Sequence, residues 1–456
     1  MMATPAQDSA YGTIPPLGPE RPVVWPRRVR HKLSNGLEIV LVESHTIPKF
    51  TAEIYFRSGN AVAPIPGLAD MTATVARTGT TRRTSRQIEE DLRRWGADLS
   101  TGSGADTSAI SFSGLSEFSK PLIELAAEIA REAAFPDEQV VRERRQKVEE
   151  LRIARTTPGF LAAERLRKTL FGAHPYANFA PTEKQVEGYS REALMAYYRD
   201  YYGPEGALFV AVGEFSPEKL IAEIESALGD WTGTPPAISA QPAPHAAKAR
   251  SVYLVHVPGA VQAEILVGNL AITRKDPNWL KLGLANNIYG GAFNSRLVMN
   301  IREQKGYTYS PRSGMNPLRQ YGFFTVSAAV RNDVVAASLT EIFYELDRMR
   351  SLPVGDGELA DAIQYMTGVF SLGLGTQDGI AGQLGTVLLN ELPDDYLETY
   401  RERVRKLTSA DVLEAARKYF DSPHAQIVIA GDREAIGGQA ELFGDVEVFD
   451  AQGNRL

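Results

Sequence analysis

Residues 199–214 read Arg-Asp-Tyr-Tyr-Gly-Pro-Glu-Gly-Ala-Leu-Phe-Val-Ala-Val-Gly-Glu, and residues 417–432 read Arg-Lys-Tyr-Phe-Asp-Ser-Pro-His-Ala-Gln-Ile-Val-Ile-Ala-Gly-Asp. The two stretches align without a gap, Tyr201 on Tyr419 and Gly213 on Gly431, at an offset of 218 (431 − 213). Each reads as the end of a helix, a turn with proline, an apolar strand and a Gly-acid exit. Each also closes one half of the chain, which makes internal duplication the simplest explanation. Between the halves lies Gly233–Lys248 (GTPPAISAQPAPHAAK), a low-complexity stretch with neither helical nor strand period. The expected organisation is an N-terminal tail over 1–25, a first domain over 26–232, a linker over 233–250 and a second domain over 251–456.

Within each half, strands come first and long helices follow. His31–Glu43 (HKLSNGLEIVLVE) has an Asn-Gly turn between two strand-like runs, and 51–57 continues the alternation. Helical patterns cover 85–95, 120–134, 137–155 and 191–201, with Asp137 a candidate N-cap. In the second half, 251–270 reads as strands, and 278–289, 294–304, 334–350 and 409–419 read as helices. Grouped strands with several helices between them predict two α+β domains, each a mostly antiparallel sheet with helices packed on one face.

Composition removes several classes of function. The 456 residues, at about 100–200 per domain, suffice for two or three domains with their own cores. No apolar run nears the roughly 20 residues of a membrane helix. The absence of cysteine excludes disulfides, iron–sulfur clusters, thiolate zinc sites and a cysteine nucleophile. Lys and Arg number 49 against 56 Asp and Glu, a mixed net charge of −7 that does not point to nucleic acid. Residues 1–25 have no signal-peptide core; the Ala-Thr-Pro-Ala-Gln-Asp start would suit either a processed mature end or an ordinary tail. The six histidines (31, 45, 174, 245, 256 and 424) include no pair at i, i+3 or i, i+4, so they do not form a helical metal motif. There is no nucleophile elbow and no phosphate-binding loop, and Glu89-Glu90-Asp91 and Glu149-Glu150 read as solvated helix faces.

From residues 27 to 445 the order of segments resembles the insulinase/pitrilysin family of zinc peptidases, in the branch of the mitochondrial processing peptidase. The likeness runs through LSNGLEIVLVE (33–43), FRSGNAVAPIPGLADM (56–71), VVRERRQKVEEL (140–151) and GGAFNSRLVMNIREQKGYTYSPRSG (290–314). Active members carry His-x-x-Glu-His after the Gly-Leu-Ala segment, two zinc ligands and the glutamate that activates water. Here Asp70 stands at the first histidine, Ala73 at the glutamate and Thr74 at the second histidine. Glu149 or Glu150 matches the distal carboxylate ligand. The resemblance therefore implies a chain with a degenerate zinc motif, inactive alone, with zinc expected only in a partner.

The same resemblance assigns Arg302 and Tyr309, seven residues apart, to the pair that reaches a substrate from the C-terminal domain. Asn294 or Ser295 is expected to cap a helix that ends at Gly306, with a strand starting at Tyr307. Both side chains are donors suited to a substrate carbonyl and the oxyanion it becomes. The structural alternative is an arginine fixed to a helix end and a strand tyrosine half buried in the core. Gly290-Gly291 reads as a flexible bend.

These expectations describe the non-zinc subunit of a heterodimeric peptidase, acting in trans beside a homologous His-x-x-Glu-His subunit on unfolded peptides held by strand addition. The alternative is a catalytically silent scaffold of the same fold, and a third reading is a homodimer that binds peptides without cleaving them. The expected compartment is the periplasm, with the cytoplasm as alternative.

Overall fold

The computed structural model describes residues 25–239 and 241–456; the expected tail lies outside these, apart from Trp25. The first half supplies strands β1 (Arg28–Lys32), β2 (Glu38–Glu43), β3 (Lys49–Phe56), β4 (Asp98–Ser103), β5 (Ser108–Leu115) and β6 (Leu208–Gly213). Its helices are α1 (Leu68–Ala76), α2 (Ser85–Trp95), α3 (Ser119–Arg131), α4 (Asp137–Ala154), α5 (Pro158–Phe171), α6 (Glu183–Glu187), α7 (Arg191–Tyr201) and α8 (Pro217–Leu228). The second half supplies β7 (Ser251–His256), β8 (Gln262–Ala271), β9 (Arg312–Pro317), β10 (Gly322–Arg331), β11 (Gln426–Gly431) and β12 (Val446–Phe449). Its helices are α9 (Trp279–Asn286), α10 (Val335–Ser351), α11 (Asp356–Gly373), α12 (Gln377–Leu389), α13 (Tyr396–Arg405), α14 (Ser409–Tyr419) and α15 (Arg433–Ala440).

The strands form two six-stranded sheets, ordered β1-β2-β6-β3-β5-β4 and β12-β7-β11-β8-β10-β9. Both are mixed and mostly antiparallel; β2 and β6 pair in parallel, as do their counterparts β7 and β11. The 218-residue offset carries α7 onto α14 and β6 onto β11 residue for residue. Two edges differ: β1 joins β2 antiparallel from the start of the chain, whereas β12 joins β7 in parallel from its end.

Alternation along the strands gives each sheet two apolar faces. Ile39, Leu41, Phe209 and Ala211 face the sheet's own helices, whereas Val40, Val42, Leu208, Val210 and Val212 pack against Leu384 and Val387 of α12, from the other half. The second sheet mirrors this: Val255, Leu266, Val428 and Ala430 pack against Leu161, Leu166 and Leu170 of α5, from the first half. Helices on one face were expected; the second face of each sheet is covered as well, by α5 on the second sheet and by α12, with Phe370 of α11 and Tyr396 and Leu397 of α13, on the first, each from the opposite half. Polar bonds reinforce the seam. Asp106, in the β4–β5 turn, accepts from Tyr176 Oη at 2.6 Å and from the backbone N–H of Arg319 at 2.8 Å. The Arg319 guanidinium donates to the Arg57 carbonyl at 2.9 Å.

Candidate functional site

Gly67, at φ +78°, starts α1, and the helix buries Leu68, Ala69, Met71, Thr72, Ala73, Val75 and Ala76. What remains accessible is Asp70 and Thr74, four residues apart and therefore on one face. Ala73 is fully buried, its carbonyl accepting from Thr101 Oγ1 at 2.7 Å, which ties α1 to the edge strand β4. The Thr74 hydroxyl donates back to the Asp70 carbonyl at 3.0 Å, a bond within the helix.

Across from α1 runs α4, a charged helix that buries only Val140, Val148 and Leu151. Asp137 is its first residue and makes no cap; Pro136 occupies the N-cap position. From α4, Lys147 reaches Asp70, its Nζ 3.1 Å from Oδ2, and the same ammonium lies 3.8 Å from Glu150 Oε2. Glu149 turns away to Arg152 at 2.6 Å. Of the two carboxylates proposed from sequence, Glu150 is thus the one beside Asp70, with Lys147 between them. Lys147 was not singled out from sequence: a lysine in RERRQKVEE is one cation among many until the fold sets it against α1.

Zinc takes nitrogen, thiolate and carboxylate donors around an open centre. Here the donor set is two carboxylates, a hydroxyl committed to its own helix and an ammonium, which does not fit the metal. Among the described residues, no group of three or more His, Cys, Asp or Glu could hold a metal ion. The histidines have other partners: His174 is buried, accepting from the Tyr176 N–H at 3.0 Å, and His45 pairs with Glu214 at 2.8 Å.

In the second half, α9 runs into a wide-turned segment, Asn287–Gly291, and a second wide-turned helix covers Val298–Gln304. Ser295 was expected as a cap, yet its hydroxyl is buried without a hydrogen-bond partner, and no side chain caps this helix. The end matches expectation. Gly306 is left-handed at φ +64°, its N–H bonds the Arg302 carbonyl at 3.0 Å, and the Tyr307 N–H bonds the Ile301 carbonyl at 2.9 Å. The following strand begins at Arg312, not Tyr307, because Pro311 has no N–H to give a ladder. Gly290 and Gly291 are not a loose bend. A Cβ on Gly290 would lie 2.6 Å from Ser313 Oγ, and one on Gly291 2.7 Å from Asn286 Nδ2, so both serve close packing.

Arg302 and Tyr309 meet at this reversal. The guanidinium carbon is 4.6 Å from the Tyr309 ring centroid and 4.8 Å from that of Phe293, placing the cation against two rings. Its Nε lies 3.2 Å from Glu303 Oε1. Tyr309 is 81% exposed and Phe293 71%, so the half-buried core tyrosine of the structural alternative is not what the fold contains. Phe293 went unnoticed in the sequence; its signal was a lone large apolar residue in the polar turn Ala292-Phe293-Asn294-Ser295. The supporting helix is anchored on α10, Asn300 donating to Glu341 and Glu345 at 2.9 and 3.0 Å, while Arg296 pairs with Glu358 of α11. No hydrogen bond or ion pair among the described residues joins this group to Asp70, Lys147 and Glu150.

Comparison with known proteins agrees with this architecture. Residues 188–366 match the family described as peptidase M16 inactive domain. An uncharacterized zinc protease of Bacillus subtilis is 21% identical, over 88% of this chain and 98% of its own. The crystal structure of a peptidase M16 inactive domain from Pseudomonas fluorescens superposes with a TM-score of 0.83 at 26% identity, covering 89% of this chain and 98% of that one. The periplasmic protease PqqL from Escherichia coli matches at a TM-score of 0.75 and 16% identity, over 94% of this chain but 49% of its own. Twin α+β halves of this kind, with no histidine on α1, have the architecture of these peptidase-like chains. The chain is similar to insulinase-like (M16) peptidases, its match to their inactive domain covering residues 188–366, and it lacks the zinc motif of that family at Asp70, Ala73 and Thr74.

Proposed function

We propose that this chain is the non-zinc half of a two-chain zinc peptidase, and that Arg302 and Tyr309 act on substrate held at the zinc of a homologous partner. The supporting observation is the pairing of Arg302 with two exposed rings at a helix end, in a chain with Asp70, Ala73 and Thr74 at the zinc-motif positions. A guanidinium packed against two rings has its planar fork restrained, the preorganisation that a carbonyl turning into an oxyanion requires. Unfolded peptide is the proposed substrate, gripped by addition to a sheet edge; β4 and β9 are edge strands. Peptide hydrolysis by this chain alone, and mixed with a His-x-x-Glu-His homologue from the same genome, tests the reading. Chelator-sensitive cleavage in the mixture alone is expected; a stable complex that stays silent on varied peptides would overturn it.

A scaffold role is the second reading, favoured by Tyr365, Val369 and Leu372 of α11, exposed at helical spacing as an apolar stripe. The proposed compartment is the periplasm, to be checked by fractionation.

A further inference from the structure

The carboxylates of Asp70 and Glu150 come from helices separated by 77 residues between Asp70 and Lys147, and one cation serves both. An ammonium is a compact point charge with three donors, suited to bridging two carboxylates. The side chains of Lys147 and Asp70 are 31% and 34% exposed, so the pair is partly open to solvent where it joins α1 to α4. It stands on the accessible face of α1 where the family holds zinc. A divalent ion there would compete with the ammonium for Glu150 and be repelled by it at short range.

We propose that Lys147 is a built-in replacement for the metal: its ammonium holds the carboxylates at two ligand positions and keeps the site closed to a divalent cation even when the missing histidines are restored. The site has therefore been refilled, and reverting the motif is insufficient to load it. This inference concerns the first half alone and stands or falls apart from the role proposed for Arg302 and Tyr309.

The test uses the full chain carrying Asp70→His and Thr74→His, with Lys147 retained or with Lys147→Met added. Zinc content after dialysis and the visible spectrum with cobalt(II) are read on both. The chain retaining Lys147 is expected to hold less than about 0.1 zinc per chain, and the Lys147→Met version about one, with a tetrahedral cobalt spectrum. Stoichiometric zinc with Lys147 present, or none after its removal from a folded chain, would overturn the proposal. Should either variant fail to fold, a stability cycle decides. Lys147→Met is expected to raise the unfolding equilibrium constant about two- to fivefold in the natural chain, and not in an Asp70→Asn/Glu150→Gln background. Equal losses in both backgrounds would show that Lys147 does not serve these carboxylates.

Discussion

The guanidinium of Arg302 lies 4.6 Å from the ring of Tyr309, two residues separated by a helix end and the left-handed Gly306. The ring centroid of Phe293 lies 4.8 Å from the same guanidinium carbon. The reversal at Gly306 makes neighbours of side chains that a continuous helix would have placed two turns apart.

This arrangement makes a kinetic prediction. In the proposed two-chain enzyme, Arg302→Ala is expected to lower kcat by about 10²–10³ with little change in KM, as for loss of an oxyanion donor. Arg302→Lys should recover little, because the planar fork is lost. Phe293→Ala removes one ring and is expected to cost only about two- to fivefold. Steady-state kinetics decide; an unchanged rate for Arg302→Ala would return the pair to a structural role.

The exchanged helices predict a shared stability. Leu166 on α5 and Leu384 on α12 are each 2% exposed, and each seals the sheet of the opposite half. Replacing either by alanine is expected to cost about 2–4 kcal/mol, as for other buried leucines. Urea unfolding followed by fluorescence checks it, and a loss below about 0.5 kcal/mol, the scale of surface substitutions, would mean the seam is not a packed core.

Close packing at the double glycine gives a third expectation. In Gly290→Ala the new methyl would sit 2.6 Å from Ser313 Oγ and 3.0 Å from the Ser313 backbone nitrogen, which cannot both move freely. The expected cost is about 1–3 kcal/mol. At Gly306 nothing lies within 4 Å of an added Cβ, and the penalty there comes from the left-handed backbone, about 1 kcal/mol. Thermal melts of both variants compare crowding with backbone strain.

The acidic side of the pH profile supplies the fourth. Burial pushes the Glu53 carboxyl above its ordinary value, a Ser111 hydrogen bond pulls it down, and Asp378 of α12 pushes it up. The folded chain therefore holds this proton to higher pH than the unfolded chain does. Its contribution to stability is fully present below the unfolded value, about 4.3, and is lost as pH rises through the folded value. Glu53→Gln should flatten that decline between acid and neutral pH. Melting temperature against pH checks this, and parallel profiles for the two proteins would refute it.

Much of the fold was legible locally. α2, α7 and α14 run over the residues expected, each opened by a capping side chain, Thr84, Ser190 or Thr408. The exchanged helices were not recognised. α12 (QDGIAGQLGTVLL) has three glycines in thirteen residues and little helix propensity, whereas α5 has helix formers in Leu-Ala-Ala-Glu-Arg-Leu-Arg-Lys but nothing local that tells which sheet it covers. One of those glycines, Gly385, admits Tyr55, whose hydroxyl would lie 2.5 Å from an added Cβ. Their stability is tertiary, from packing on a sheet built by distant residues.

The sequence by itself determined the twin α+β halves, the loss of zinc ligands at Asp70, Ala73 and Thr74, and the reversal at Gly306, because periodicity, turn chemistry and motif spacing are local properties. Only the tertiary structure decided that α5 and α12 change places, that Glu150 rather than Glu149 faces α1, that Lys147 stands between two carboxylates and that Phe293 completes the clasp on Arg302. Each of these depends on side chains brought together from remote or reversed segments, and the distance between such groups is set by packing, which no local pattern encodes.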